Sequence, residues 1–149
     1  RGCLMEVRMV LGQEALKRRS LAGKRIVVLD DSIVRGTTSA RIIKMLKDAG
    51  AKEVHLRISS PPFIKACYYG SDIGSENELI AAQKSIEEIK EMVGADSLGF
   101  LEVDSLKDII HSENCEFCDA CFTGNYPTPI SERLLRGEKD TYCQPLKRY

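Results

Sequence analysis

The apolar positions change period along the chain, and each change marks an element. Ile26, Val27, Val28 and Leu29 form a short unbroken apolar run. Such a run predicts a central strand of a parallel sheet covered on both faces, because neither face then tolerates a polar residue. From Ala40 to Ala49 the period becomes helical. Ile42, Ile43, Leu46 and Ala49 make one stripe with Met45 beside it, and Arg41, Lys44, Lys47 and Asp48 cover the outside. Gly50 ends this helix. Glu53 to Ser59 then alternates, with Val54, Leu56 and Ile58 facing one way and His55 and Arg57 the other. Strand, loop, helix, strand is the right-handed crossover unit of a parallel sheet.

Weaker patterns flank this unit. Val7, Val10, Leu11 and Leu16 give Glu6 to Arg19 a roughly helical spacing, interrupted by Gly12. Pro61 and Pro62 stop the second strand and stiffen its exit loop. Ser75 with Glu78, and Ser85 with Glu88, both fit the capping box, in which a Ser and a Glu three residues on satisfy each other's backbone donors. Two helix starts are therefore predicted. Ile86, Ile89, Met92 and Val93 form the stripe of the second helix, Gly94 closes it, and its acidic positions 87–91 read as a solvated face. Ser97 to Val103 reads as a last strand or extended segment, and Ser105 to Ile110 as a short helix with Leu106, Ile109 and Ile110 inward. His55 reads as an exposed strand residue rather than a catalyst, since no neighbour in sequence supplies it with a partner.

Composition narrows the class. The chain has 149 residues, 43% of them hydrophobic and 30% charged, which suits one soluble domain with a real core. Formal net charge is +0, so no basic excess draws in nucleic acid or an anionic membrane. No apolar run approaches the roughly 18 residues of a membrane span. The polar start, RGCLMEVRMVLG, does not read as a secretory signal, and a cytoplasmic setting is expected. Three segments are expected: an amino-terminal segment over 1–22, an α/β unit over 23–112 and a cysteine-rich tail over 113–149.

The chemistry sits where the first strand ends. Asp30 and Asp31 follow it, and ligands of open α/β sheets lie beyond the carboxyl ends of strands. Arg35, Gly36, Thr37, Thr38 and Ser39 come next. Gly36 lets the backbone turn sharply, and the unsatisfied amides of the helix start can hold an anion. The carboxylates call for hydroxyls or a divalent cation, the cradle for a phosphate, and a phosphorylated sugar meets both demands. The plainer reading is a solvated Asp pair at a strand-turn-helix junction; the hydroxyl-rich turn argues against it.

Cysteines mark a second locus. Six are present, and Cys115, Cys118 and Cys121 fall within seven positions. Disulfides between such near neighbours are strained, so metal or cluster ligands, or reduced thiols, come first. Tetrahedral zinc and an iron–sulfur cubane both need four ligands, and spacing does not separate them. A fourth ligand would come from Cys67, Cys143, Cys3 or another chain segment. Cys67 alone would more often be a packed thiol.

These residues carry a resemblance. VVLDDSIVRGTTS resembles the phosphoribosyl-pyrophosphate (PRPP) motif of type I phosphoribosyltransferases, and DDSIVRGTTS, more narrowly, that of the amidophosphoribosyltransferase family. SSPPFIKACYYGSD and CDACFTGNYP resemble two further motifs of family members that carry a 4Fe–4S cluster, in the family's order. Together the motifs cover roughly residues 20–130. Val7 to Met9 resembles a segment before the PRPP strand, but Val10 stands where the family usually has Lys, and the spacer to Gly23 is a few residues long.

The resemblance implies an α/β fold, namely a type I phosphoribosyltransferase-like parallel sheet flanked by helices, present as a partial domain with a cysteine-rich tail. It implies that Asp30 and Asp31 meet the ribose hydroxyls or Mg2+ on PRPP. Ser32, Arg35, Gly36, Thr37 and Thr38 would hold the 5-phosphate. Cys67, Cys118 and Cys121 would ligate the cluster, which is structural or oxygen-sensing, with zinc the alternative metal; the fourth ligand lies upstream in the family, Cys115 could substitute for it, and Cys3 and Cys143 have no assigned part. The implied reaction converts PRPP and glutamine to 5-phosphoribosylamine, glutamate and pyrophosphate, in purine synthesis, through glutamine-derived ammonia. A glutaminase region with a terminal Cys nucleophile is expected upstream; Arg1 is no such residue, so this chain reads as a carboxyl-terminal part with no catalytic nucleophile of its own. A homo-oligomer with purine-nucleotide feedback is implied for the whole enzyme. The rivals are a base-salvage phosphoribosyltransferase, which has no need of the cysteine motifs, and a non-enzymatic PRPP- or metal-binding remnant.

Overall fold

The computed structural model describes residues 21–69, 73, 75–109 and 117–135. Its centre is a three-stranded parallel sheet in the order β1 (Arg25–Asp30), β2 (Glu53–Ile58), β3 (Ser97–Phe100). Helix α1 (Thr37–Asp48) crosses from β1 to β2. A 3-10 turn (Glu76–Glu78), α2 (Ile80–Gln83) and α3 (Ile86–Val93) lie between β2 and β3. After β3 come α4 (Val103–Ile109), α5 (Ala120–Thr123) and α6 (Glu132–Leu135). No helix among the described residues is long and apolar enough to cross a membrane.

The register explains the core. Ile26 pairs with Val54 and Val28 with Leu56, so one face of the sheet is an apolar plane. Ile43 and Leu46 of α1, with Ile89 and Val93 of α3, close over that plane, and all four are at most 3% exposed. Burying each such side chain contributes roughly 1.5–3 kcal/mol before chain entropy is charged against it. Ser85 caps α3 as predicted: its Oγ accepts from the Glu88 amide at 3.3 Å, and Glu88 accepts the Ser85 amide at 2.8 Å. The Ser85 amide, and after it the Ser85 hydroxyl donating to the carboxylate at 2.8 Å, hold the Glu88 carboxyl below its ordinary pKa.

Several expectations change. Among the described residues β1 is the sheet's edge rather than a central strand covered on both faces, and Val27 and Leu29 are 36% and 71% exposed there. Among the described residues only the face carrying Ile26 is packed. The opposite face is polar beyond β1, and it gives His55 two partners, Glu53 on its own strand and Ser97 on the next. His55 Nδ1 lies 2.9 Å from Ser97 Oγ on β3, and Nε2 lies 3.1 Å from Glu53. Arg25 pairs with the same Glu53 at 2.5 Å, and Arg57 donates to Ser97 Oγ at 3.0 Å. His55 is therefore held half-buried in a cross-strand network, not left as a bare surface residue.

The first capping box does not form either. Ser75 makes no side-chain cap bond, and the segment after it is a 3-10 turn broken from α2 by an extended Leu79 (φ −88°, ψ 107°). Leu79 is fully buried, and seating it in the core interrupts the helix that local pattern favours. α4 starts two residues before the expected Ser105, and Ile109 is 65% exposed rather than inward. The expected helix over 6–19 and Ile110 lie outside the described residues.

Candidate functional site

Two adjacent chain features build one cleft at the carboxyl end of the sheet. The first is the carboxylate pair. β1 ends on Asp30, whose Oδ1 accepts the Asp31 amide at 3.0 Å. Its carbonyl accepts the Ser59 amide at 2.9 Å and the Ser59 hydroxyl at 3.2 Å, which fastens the exit of β2 to the acidic pair. Burial pushes the Asp30 carboxyl above its ordinary pKa, and the charge of Asp31 adds to this; the Asp31 amide and the Ser39 hydroxyl pull the other way. A raised carboxyl beside a second one is a place that welcomes positive charge or hydroxyl donors.

The second feature is the start of α1. Gly36 is its N-cap in the left-handed region (φ 76°, ψ −6°), and no side chain caps the helix. The first helical bond runs from the Ala40 amide to the Gly36 carbonyl at 3.0 Å. The Thr37, Thr38 and Ser39 amides precede it and are the donors that a helix start leaves over. They carry the positive end of the dipole of a 12-residue helix. The φ favours Gly36, and a Cβ there would lie 2.7 Å from Met92 Cε on α3, so that flexible side chain would have to move. Ile33, 2% exposed, anchors the intervening loop in the core.

The cleft has a volume of about 480 Å3, and Asp30, Asp31, Ser32, Arg35, Gly36, Thr37 and Thr38 all line it. One lining residue escaped the sequence reading. Glu78, on the 3-10 turn, faces the cleft and accepts from Arg35 Nη2 at 2.5 Å. The Ser-x-x-Glu pattern suggested a cap for it, which hid this role. Chemically the cleft is divided. A free anion would avoid the Asp pair and a free cation would avoid the helix start, so the arrangement suits a ligand with both kinds of group.

The thiols lie on two segments that are bonded to each other. The Ile64 and Lys65 amides donate to the Cys121 carbonyl at 2.9 and 3.1 Å. Phe63 stacks on Phe122 with centroids 4.9 Å apart, and Tyr126 Oη donates to the Ala66 carbonyl at 2.7 Å. That half-buried phenol has its pKa pushed up to about 12, mainly by desolvation. Burial raises the Cys121 thiol too, and the nearby Cys67 and Cys118 raise it further. All three are free thiols. Among the described residues, however, no three His, Cys, Asp or Glu side chains are gathered into a group that could hold a metal ion. The donor set suits a thiophilic centre, while the side chains are not drawn in to ligand distance. Cys3, Cys115 and Cys143 lie outside the described residues.

No family model matches the chain. Individual relatives do. Amidophosphoribosyltransferase 2, chloroplastic, of Arabidopsis thaliana is 54% identical over 121 residues, which is 80% of this chain and 22% of that protein. The structure of glutamine PRPP amidotransferase from B. subtilis, complexed with ADP and GMP, matches with a TM-score of 0.70 at 53% identity. It is covered to 26% by 78% of this chain. The structure titled as the allosteric regulatory enzyme of purine biosynthesis matches with a TM-score of 0.71 at 51% identity, again with 78% of this chain on 26% of that one. The chain thus spans about a quarter of the length of the relatives it matches.

Proposed function

We propose that this chain, which is homologous to the amidophosphoribosyltransferases, supplies the PRPP-binding portion of such an enzyme and part of its iron–sulfur site. The observation that carries this is the single cleft in which a strand-end Asp pair and an uncapped, Gly-initiated helix face the same ligand space. The reaction is the conversion of PRPP, glutamine and water to 5-phosphoribosylamine, glutamate and pyrophosphate, in purine synthesis. We assign the glutaminase step to none of these residues. The setting is cytoplasmic or, as the name of the Arabidopsis relative says of that protein, chloroplastic.

The chain's residues act by position and charge. The amides and hydroxyls of Thr37 and Thr38, with Ser32 and Arg35, hold the 5-phosphate. Asp30 and Asp31 then meet the ribose hydroxyls and orient the anomeric carbon. Ammonia forms the new C–N bond as the C–O bond to pyrophosphate breaks, and the resulting ammonium loses a proton to solvent. The sugar carries positive charge in the transition state, and the carboxylates, fixed before reaction, offset it. Asp30 and Asp31 are also the residues that would hold Mg2+, which neutralises pyrophosphate when bound. Cys67, Cys118 and Cys121 would hold the 4Fe–4S cluster, which ties the two thiol-bearing segments together.

Calorimetric titration of the full chain with PRPP and Mg2+ tests the cleft. Binding is expected, and Asp30→Asn with Asp31→Asn should abolish it. Unchanged binding in that double variant sinks the assignment. Anaerobically purified protein is expected to carry iron and sulfide; zinc alone would overturn the cluster. Ammonia-dependent formation of phosphoribosylamine separates an enzyme portion from a module that only binds.

A further inference from the structure

We infer that Glu78 is a positioning residue of the anion end of this cleft, acting by holding the Arg35 guanidinium in place; this rests on the reading that the cleft binds PRPP. The two residues are 43 positions apart, and their pair at 2.5 Å closes one side of the cleft. Stability does not account for it. The side chains are 61% and 44% exposed, and such pairs contribute little to folding. A carboxylate near an anion cradle repels the ligand unless it is engaged elsewhere. Engagement with Arg35 removes that conflict and puts the carboxylate to use.

Both ends of the pair are fixed by backbone. The Ile80 amide donates to the Val34 carbonyl at 2.9 Å, which joins the residue before Arg35 to the segment after Glu78. The Glu78 amide donates to the Ser75 carbonyl at 2.8 Å, and the next residue, Leu79, is buried completely. Glu78 also forgoes the cap its sequence pattern offers: Ser75 makes no side-chain cap bond, and the carboxylate goes to Arg35 instead. An exposed Arg carries much rotamer freedom, and a ligand that recruits it must order it. Glu78 orders it beforehand, which is the usual source of affinity in a preformed site.

The test is a double-mutant cycle on PRPP affinity, measured calorimetrically on the full chain with Mg2+. Glu78→Ala is expected to weaken PRPP binding by about 2- to 5-fold, the range of an exposed pair. Glu78→Gln, which keeps an acceptor for the guanidinium, should retain most of the affinity. Arg35→Ala should weaken binding, and adding Glu78→Ala to it should weaken it no further, because the residue being positioned is gone. A merely structural role would make the two losses multiply. Multiplying losses, an Arg35→Ala variant that binds normally, or tighter binding in Glu78→Ala each overturn the role of Glu78 while wild-type PRPP binding stands. A wild-type chain that binds no PRPP overturns the reading of the cleft and the role of Glu78 together. Should Glu78→Ala fail to fold, Glu78→Gln alone decides: a loss in Glu78→Gln as large as that of Arg35→Ala refutes positioning through a retained acceptor.

Discussion

Replacing Gly36 by Ala probes the turn on which the cleft depends. Two costs can be worked from its surroundings. Gly36 sits at φ +76°, where an L side chain is opposed by its own backbone at about 1–2 kcal/mol. The new Cβ would also stand 2.7 Å from Met92 Cε, with Ile80 Cδ1 and Val93 Cγ1 at 3.5 Å. Met92 is a flexible side chain and can swing away, at the cost of an off-rotamer torsion, about 0.5–1.5 kcal/mol. The sum is about 1.5–3.5 kcal/mol. Gly94 is the internal control, because it has φ +75° and nothing within 4 Å of its added Cβ. Gly94→Ala should show the backbone cost alone, about 1–2 kcal/mol. Urea unfolding of the full chain, with the midpoint compared at constant slope, separates the two. Met92→Ala in the Gly36→Ala background should recover the steric part. The ligand readout is separate: Gly36→Ala should weaken PRPP binding well beyond the effect of Gly94→Ala. Equal destabilisation by the two variants would refute the steric argument. Unchanged PRPP affinity in Gly36→Ala would refute the turn as a phosphate cradle.

Asp30→Asn should raise the stability of the ligand-free chain at neutral pH while removing PRPP binding. The Asp30 carboxyl is raised above its ordinary value, chiefly by burial, so the folded chain holds its proton more tightly than the unfolded one. Its contribution to stability is therefore fully present below the unfolded carboxylate pKa and lost as pH rises through the raised folded value. Thermal unfolding of both proteins from pH 7 to pH 4 should show the gap between them narrowing, and a gap that widens counts against the burial of this carboxyl. Tyr126→Phe removes the bond to the Ala66 carbonyl and should cost about 0.5–1.5 kcal/mol. It should also remove the tyrosine that ionises at about 12, read by ultraviolet titration, while a titration curve unchanged at its alkaline end would contradict that assignment.

The parts of the cleft that could be read from sequence are those in which neighbours in the chain stay neighbours in space. Asp30 through Thr38 are continuous, so the strand-end acids and the helix-start amides had to meet. The core stripe of α1 and the Ser85 box are likewise local patterns that folding leaves intact. Sequence reading failed where a residue had two uses and distance decided between them. Glu78 fitted a cap three residues back and instead pairs with Arg35. Leu79 sat in a run suited to a helix, and burying it broke that helix. His55 read as unpartnered, yet it meets Glu53, two residues back on the same strand face, as well as Ser97, which β3 brings beside it.

The misjudged surroundings of β1 have the same origin, with an added lesson about what apolar pattern means. Val27 and Leu29 alternate with Ile26 and Val28, so an unbroken run says only that each face is apolar. It does not say that both are covered by the same stretch of chain. α1 and α3 cover one face, because the crossover places them there. The other face meets no apolar partner among the described residues, and across the sheet it passes into Glu53, His55, Arg57 and Ser97. Leu29 at 71% exposure beside a hydrogen-bonded polar network is thus a boundary between two kinds of surface. At that boundary the strand ends on Asp30, where the buried face delivers a carboxylate to the cleft. The core-facing alternation that seats Ile26 and Val28 in the core also points Asp30 into the ligand space. Shifting β1 by one residue would turn Asp30 away and bury Val27 and Leu29 instead, so packing of the core fixes the register that the site requires.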